Sequence, residues 1–406
     1  MQVKTKTIPI RVPGFRFAGV KAGIKQSGKR DVAVIASDVP ATAAAAFTSN
    51  LVKAAPVVVG IPRAATGRLQ AIVINSGNAN AYTGRNGVAM ARRMCAIVAK
   101  ELRVHEELVI PSSTGRIGVQ LPRQSIERGV RDACRSLSVD GFHHALDGIM
   151  TTDAFPKFGV EGLMLDGREI TVAGMTKGAG MIAPKMRLAH ATNLTYVMTN
   201  AAVSPAALRR ALTVALPQSF NAIVVDGDTS TNDTALLLAN GVAGNRPLTS
   251  RSPDFPELCA AVTRLMAKLA RMIVKDGEGA TKVVDIRVHG ARTPREAAAA
   301  ADTIARSPLC KAAFYGGDPY TGRIVCALGY SGARFDPGKL DVYVDAVQVV
   351  RRGEEVVGKV ETRAAAVVRK DEFELSVHLH AGDASAYRVA SDLSVDYVRF
   401  NSDYRT

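Results

Sequence analysis

The chain has 406 residues, 47% hydrophobic and 22% charged, with a mean hydropathy of +0.07, enough apolar surface to build a core and to exclude a disordered or fibrous protein. Lys and Arg number 52 against 37 Asp and Glu, a net charge of +15. The densest basic stretches are isolated doublets (Arg92 and Arg93, Arg209 and Arg210, Arg351 and Arg352) with no aromatic interleaving, so the excess reads as a solvated basic surface and not as a nucleic-acid platform.

Length implies two or three domains or one large layered domain. No apolar run approaches the roughly 18 residues of a membrane-spanning helix. Residues 1–13 carry no apolar core followed by a small-residue cleavage site, so a cytoplasmic protein is expected. Short strands separated by glycine are predicted over 31–36, 52–60 and 69–74, the last running into Asn75-Ser76-Gly77-Asn78-Ala79-Asn80, a loop suited to a site wall. Ala91, Met94, Cys95, Val98 and Leu102 recur with helical period over 87–102. Ser204 and Pro205 form an N-cap and first turn ahead of an apolar stripe that Pro217 stops. Further helices are predicted over about 257–274 and from Thr293, where Pro294 and Glu296 complete a capping box. Residues 244–256 read as a surface loop, and the alternation of Phe373, Leu375, Val377 and Leu379 with polar residues as a half-buried strand. The five cysteines are odd in number and widely spread, without zinc spacing, so they are expected to be reduced core thiols.

Four polar or glycine-rich islands interrupt this background: Pro111 with Ser112-Ser113-Thr114-Gly115, Thr151-Thr152-Asp153, Lys177-Gly178-Ala179-Gly180-Met181-Ile182-Ala183-Pro184, and the Asp226-Gly227-Asp228 segment running to Thr234. None matches a dinucleotide or nucleotide phosphate loop. Asp226, Asp228 and Asp233 are expected to cap backbone N–H groups, and no metal is assigned.

Taken in order with Gly14-Phe15-Arg16-Phe17-Ala18-Gly19-Val20, Gly23-Ile24-Lys25, Asp276-Gly277-Glu278-Gly279-Ala280-Thr281-Lys282, Gly329-Tyr330-Ser331-Gly332 and the terminal Asn401-Ser402-Asp403-Tyr404-Arg405-Thr406, these islands resemble the ornithine acetyltransferase family, also called bifunctional ArgJ or glutamate N-acetyltransferase. The resemblance spans essentially the whole chain. It implies a layered α/β fold, an N-terminal-nucleophile-like αββα sandwich. It also implies self-cleavage between Ala191 and Thr192, so that residues 1–191 and 192–406 become two chains of one interleaved unit, as (αβ)2. Thr192 would be the nucleophile, its new α-amine, with a pKa near ~7.7 to 8.0, serving as base where a lysine near ~10.4 would not. By the same resemblance Thr114 and Gly115 would hold the oxyanion, and Thr152, Lys177, Thr192, Glu278, Asn401 and Thr406 would contact substrate. Acetyl would pass from N-acetylornithine to glutamate through a Thr192 ester, with no cofactor and with acetyl-CoA as an alternative donor. Other readings stand beside it: a paralogue with a different amine acceptor, an amidase or aminopeptidase on the same scaffold, or an unprocessed chain in which Thr192 is an ordinary strand residue, Glu278 pairs with Lys282 and Asn401 sits in a turn.

Two departures from the family pattern bear on this. Arg187-Leu188-Ala189-His190 are inserted between Met186 and Ala191, and Asp318-Pro319-Tyr320-Thr321-Gly322-Arg323 replaces a stretch that usually carries Asn and Trp.

Overall fold

The computed structural model describes residues 9–183 and 193–403. The strands are β1 (Phe15–Val20), β2 (Val32–Phe47), β3 (Arg68–Asn78), β4 (Val109–Arg116), β5 (Lys157–Leu165), β6 (Arg168–Lys177), β7 (Leu194–Thr199), β8 (Ile223–Val224), β9 (Thr234–Ala239), β10 (Val283–Ala291), β11 (Asp341–Val344), β12 (Val347–Arg351), β13 (Glu354–Glu355), β14 (Glu372–His378) and β15 (Ala384–Ser391). The helices are α1 (Ala55–Ala65), α2 (Gly84–Leu102), α3 (Arg123–Arg135), α4 (Phe142–Ile149), α5 (Pro205–Ala215), α6 (Phe255–Lys275), α7 (Pro294–Arg306), α8 (Pro308–Gly316), α9 (Thr321–Gly329), α10 (Lys359–Val368) and α11 (Val395–Asp403).

They form two mixed sheets clothed by helices, the layered α/β architecture expected. The first runs β4-β3-β2-β9-β7-β6-β5 with β1 on β2, the second β13-β12-β11-β14-β10-β15-β8. Along β6, β7 and β9 the side chains alternate between two cores: Val172, Val197 and Leu237 pack with α5 and α6, while Ala173, Met175, Tyr196 and Leu236 pack with α1 and α4. A strand buried on both faces cannot show polar alternation, which is why Leu194–Thr199 is buried at every residue. In the second sheet Val284, Ile286, Phe373, Leu375 and Val377 pack under α7 to α10. The long α6 touches β5 and β6 of the first sheet and β8 and β15 of the second.

The predicted caps are in place. Ser204 accepts from the Ala207 N–H and Thr293 from the Glu296 N–H. One prediction is corrected. Residues 52–60 were expected to be a strand, but α1 begins at Ala55 with Pro56 in its first turn. The β-branched run Val57-Val58-Val59 suits either state locally. A helix there buries Val57 in the core beneath the first sheet and Val59 against Ala91 of α2, and packing outweighs a propensity of a few tenths of a kcal/mol per residue. Four cysteines are buried free thiols and Cys326 is exposed.

β2 decides where the site lies. It pairs with β3 over its first half and with β9 over its second, and the register against β3 shifts between Ala36 and Ala41. Such a shift bends a sheet. The end of β4 meets the end of β6, although β3, β2, β9 and β7 separate them in strand order: Lys177 Nζ at the end of β6 donates to Thr114 Oγ1 of β4 at 3.1 Å.

Candidate active site

Lys177, Leu194 and Thr234 stand abreast at one end of β6, β7 and β9. The cleft above them is lined by Thr114, Gly115, Thr152, Lys177, Glu278 and Asn401, together with Asn193, Asp226, Asp228, Asp233 and Tyr397. Six residues singled out by sequence, from segments up to 287 positions apart, therefore share one cavity. Ala191, Thr192 and Thr406, with the inserted 187–190, lie outside the described residues.

Each wall has a local cause. Gly115 has φ +123°, and a Cβ there would lie 2.5 Å from Gly77 C and 2.6 Å from Asn78 N, so only glycine lets β4 close on the end of β3. An asparagine within β3 and one just before β9 brace that corner: Asn75 Oδ1 accepts from Ser113 Oγ (2.6 Å), and Asn232 donates to the carbonyls of Ala79 and Ser113 (2.5 and 2.8 Å). Gly180 allows a close approach from the far side, since a Cβ would fall 2.3 Å from Glu278 Oε2. Glu278 is held in place, its Oε1 accepting from Thr152 Oγ1 (2.8 Å) and its Oε2 from Asn401 Nδ2 (3.2 Å). It forms no surface pair with Lys282, whose Nζ donates to the carbonyls of Arg369 and Lys370. Asn401 belongs to α11 and not to a turn. Asp226 caps backbone as expected, accepting from Met181 N (2.6 Å), Ile182 N (2.8 Å) and Asp228 N (3.1 Å). Among the described residues no cluster of His, Cys, Asp or Glu is arranged to hold a metal.

Sequence reasoning missed the brace beneath the cleft. Fully buried Lys157 donates to Asp153 Oδ1 (2.6 Å) and to Asp276 Oδ2. Asp153 also accepts from Thr151 N and Gly178 N (2.8 Å each), and Asp276 from Ala154 N. Burial pushes the Asp153 carboxyl up, but the Lys177 and Lys157 cations and its hydrogen bonds outweigh this and hold it below the ordinary carboxylate range. Asp276, with one of those cations and the Asp153 charge beside it, is left raised by burial. Asp153 and Asp276 sit in noted islands; Lys157, at the head of a strand, gives no local signal.

The electrostatics are uneven. Burial lowers the Lys177 ammonium, with Asp153 opposing, and raises the Asp233 carboxyl well above its usual value. Among the described residues, Lys177 is the single lysine or arginine lining the cleft, against Glu278, Asp226, Asp228 and Asp233. An ammonium aimed at a threonine hydroxyl, a positive-φ glycine at a sheet corner, and a carboxylate clamped by Thr and Asn bring both signs of charge and hydroxyl donors into one cleft. Together with the two helix-clothed sheets, they define a layered α/β enzyme.

The comparisons agree with that class. The ArgJ family model matches residues 16–406. An arginine biosynthesis bifunctional protein ArgJ of Symbiobacterium thermophilum is 47% identical over 97% of both chains, and one of Geobacter sulfurreducens is 46% identical over 98% of this chain and 100% of its own. A crystal structure of the Bacillus halodurans bifunctional ArgJ superposes with a TM-score of 0.50 at 37% identity, covering 52% of this chain and 98% of that one. The chain belongs to the ArgJ family, the acyltransferases of arginine biosynthesis.

Proposed function

We propose that this chain cuts itself between Ala191 and Thr192 and then carries acetyl from N-acetylornithine to glutamate on the Thr192 hydroxyl. In the first event Thr192 Oγ attacks the Ala191 carbonyl, the peptide becomes an ester, and water hydrolyses it to free residues 1–191 and 192–406. The new α-amine then takes the hydroxyl proton, Oγ attacks the acetyl carbonyl, and ornithine leaves with that proton on its amine. Attack by the glutamate amine on the acetyl-Thr192 ester returns the free hydroxyl. The observation that carries the reading is the convergence of Thr114, Gly115, Thr152, Lys177, Glu278 and Asn401 on one cleft at the head of β7, two residues beyond Thr192 in sequence.

The geometry supplies roles. Because Lys177 donates to Thr114 Oγ1, the Thr114 proton is left to point at an oxyanion, beside the Gly115 N–H. One such donor is typically worth ~2.7 to 4 kcal/mol of barrier. Lys177 also suits the substrate α-carboxylate, and Glu278 with Thr152 and Asn401 an ammonium. The Bacillus halodurans chain, nearly all of which matches about half of this one, is of the size a cut before Thr192 would leave. The reading extends to an (αβ)2 assembly in the cytoplasm, to chemistry without a cofactor, and to acetyl-CoA as an alternative donor.

Denaturing intact-mass spectrometry before and after N-acetylornithine tests it. Two fragments beginning at Met1 and Thr192, the second gaining one acetyl that glutamate then removes as N-acetylglutamate, are expected. A single uncut chain that takes no acetyl would refute the mechanism, and release of acetate in place of N-acetylglutamate would favour an amidase.

A further inference from the structure

A ping-pong site that serves ornithine and glutamate in turn faces an electrostatic problem. The two amino acids share an α-carboxylate and an α-amine, but one side chain ends in an ammonium and the other in a carboxylate. Among the described residues, the acidic lining of Glu278, Asp226 and Asp228 suits the first and repels the second. A second basin opens on the other side of Gly115, Thr151 and Thr152, which line both cavities. Its charged lining is Lys25 and Arg116, with Gln26, Ser27 and Gln120 as neutral donors and no Asp or Glu among the described lining residues.

We propose that this basin holds the side-chain carboxylate of the acceptor, with Lys25 and Arg116 as its partners, so that the two half-reactions use opposite sides of the Gly115–Thr152 wall; the inference rests on the acetyl-Thr192 reading above. Lys25 is built to stay there. The Asp31 carboxylate takes the backbone N–H groups of Ala22, Gly23, Ile24 and Lys25 at 2.6 to 3.1 Å, which fixes the loop and occupies that carboxylate. The Lys25 stem lies against Gly77, where a Cβ would come within 2.9 Å of its Cγ. Its Nζ donates to the Arg30 carbonyl (2.5 Å), a neutral acceptor that leaves two ammonium protons for a ligand. Burial, then Asp31 in the opposite sense, then the Lys177 cation bring Lys25 to about 8, so it is charged at neutral pH and lies within the field of Lys177. Arg116, exposed at the end of β4 next to Gly115, presents a planar fork that matches a carboxylate.

The test compares Arg116→Gln and Lys25→Met with the parent in two assays: exchange of labelled ornithine into N-acetylornithine without glutamate, and kcat/KM for glutamate as acceptor. Loss of a charge-assisted hydrogen bond predicts a fall of about tenfold to a hundredfold in kcat/KM for glutamate, chiefly through KM, while exchange stays within about twofold of the parent. Arg116→Glu, a surface change that leaves the core intact, should lower it further. Glutamate kinetics near the parent's in both Arg116 variants, or exchange falling in step with glutamate, would overturn the proposal. A parent enzyme that shows no exchange would overturn the acetyl-ester mechanism itself and the proposal with it, a result distinct from either.

Discussion

Lys157→Met would strand two carboxylates in the brace under the cleft. Lys157 is fully buried, and Asp153 and Asp276 are nearly so, with both acids also bonded to backbone N–H groups that cannot move away. Removing one partner of such a cluster typically costs about 3 to 5 kcal/mol, because the remaining charge keeps its desolvation penalty without its counter-ion. Against a usual folding stability of about 5 to 15 kcal/mol, that is a large share. The pH dependence separates this cause from simple loss of packing. In the parent, Asp153 is held below its unfolded value, so its stabilisation is present above the ordinary carboxylate range and is lost as pH falls through the depressed value. In the variant Asp276 loses the cation that opposes its burial, and the folded acid takes up a proton that the unfolded chain does not. Its stability then rises as pH falls from 7 towards 5. Urea unfolding followed by far-UV circular dichroism at both pH values should show a deficit of about 3 to 5 kcal/mol at pH 7 that narrows at pH 5. A deficit below about 1 kcal/mol, or one equal at both pH values, would refute the reasoning.

Gly115→Ala combines a φ of +123° with a Cβ driven into the backbone of Gly77 and Asn78, so β3 and β4 must part. A loss of at least about 2 kcal/mol in thermal unfolding, with slower acetylation of the 192–406 fragment, is expected; unchanged melting would show that the corner is not rigid. Burial lowers Lys311 to about 8, where its Nζ meets Ser391. Between about 8 and 10.4 the unfolded chain holds the extra proton, so stability rises with pH over that window, by roughly 3 kcal/mol from this group. Lys311→Met should flatten that part of the stability–pH curve relative to the parent, and equal slopes would count against it.

Much of the molecule was legible from residues alone, because local physics writes it. Ser204-Pro205 and Thr293-Pro294 cap helices through their own neighbours, the stripe across 257–274 has helical period, and the hydroxyl and glycine islands stand out from an apolar chain. The 52–60 segment was misread because its valines fit either backbone state and only packing on the sheet and on α2 selects the helix. The order of islands pointed to the family, and with it to Thr114, Lys177 and Glu278. Sequence could not say that Lys177 reaches Thr114, since four strands separate β6 from β4 in the sheet order, nor that Lys157, beside Asp153, reaches Asp276 across 119 positions. It likewise gave no sign that Lys25 and Arg116 share a basin behind Gly115. Periodicity and capping act over a few residues and are written in the chain. Which charges are buried together, and which face one another across a wall, depends on where a bent sheet carries its strand ends.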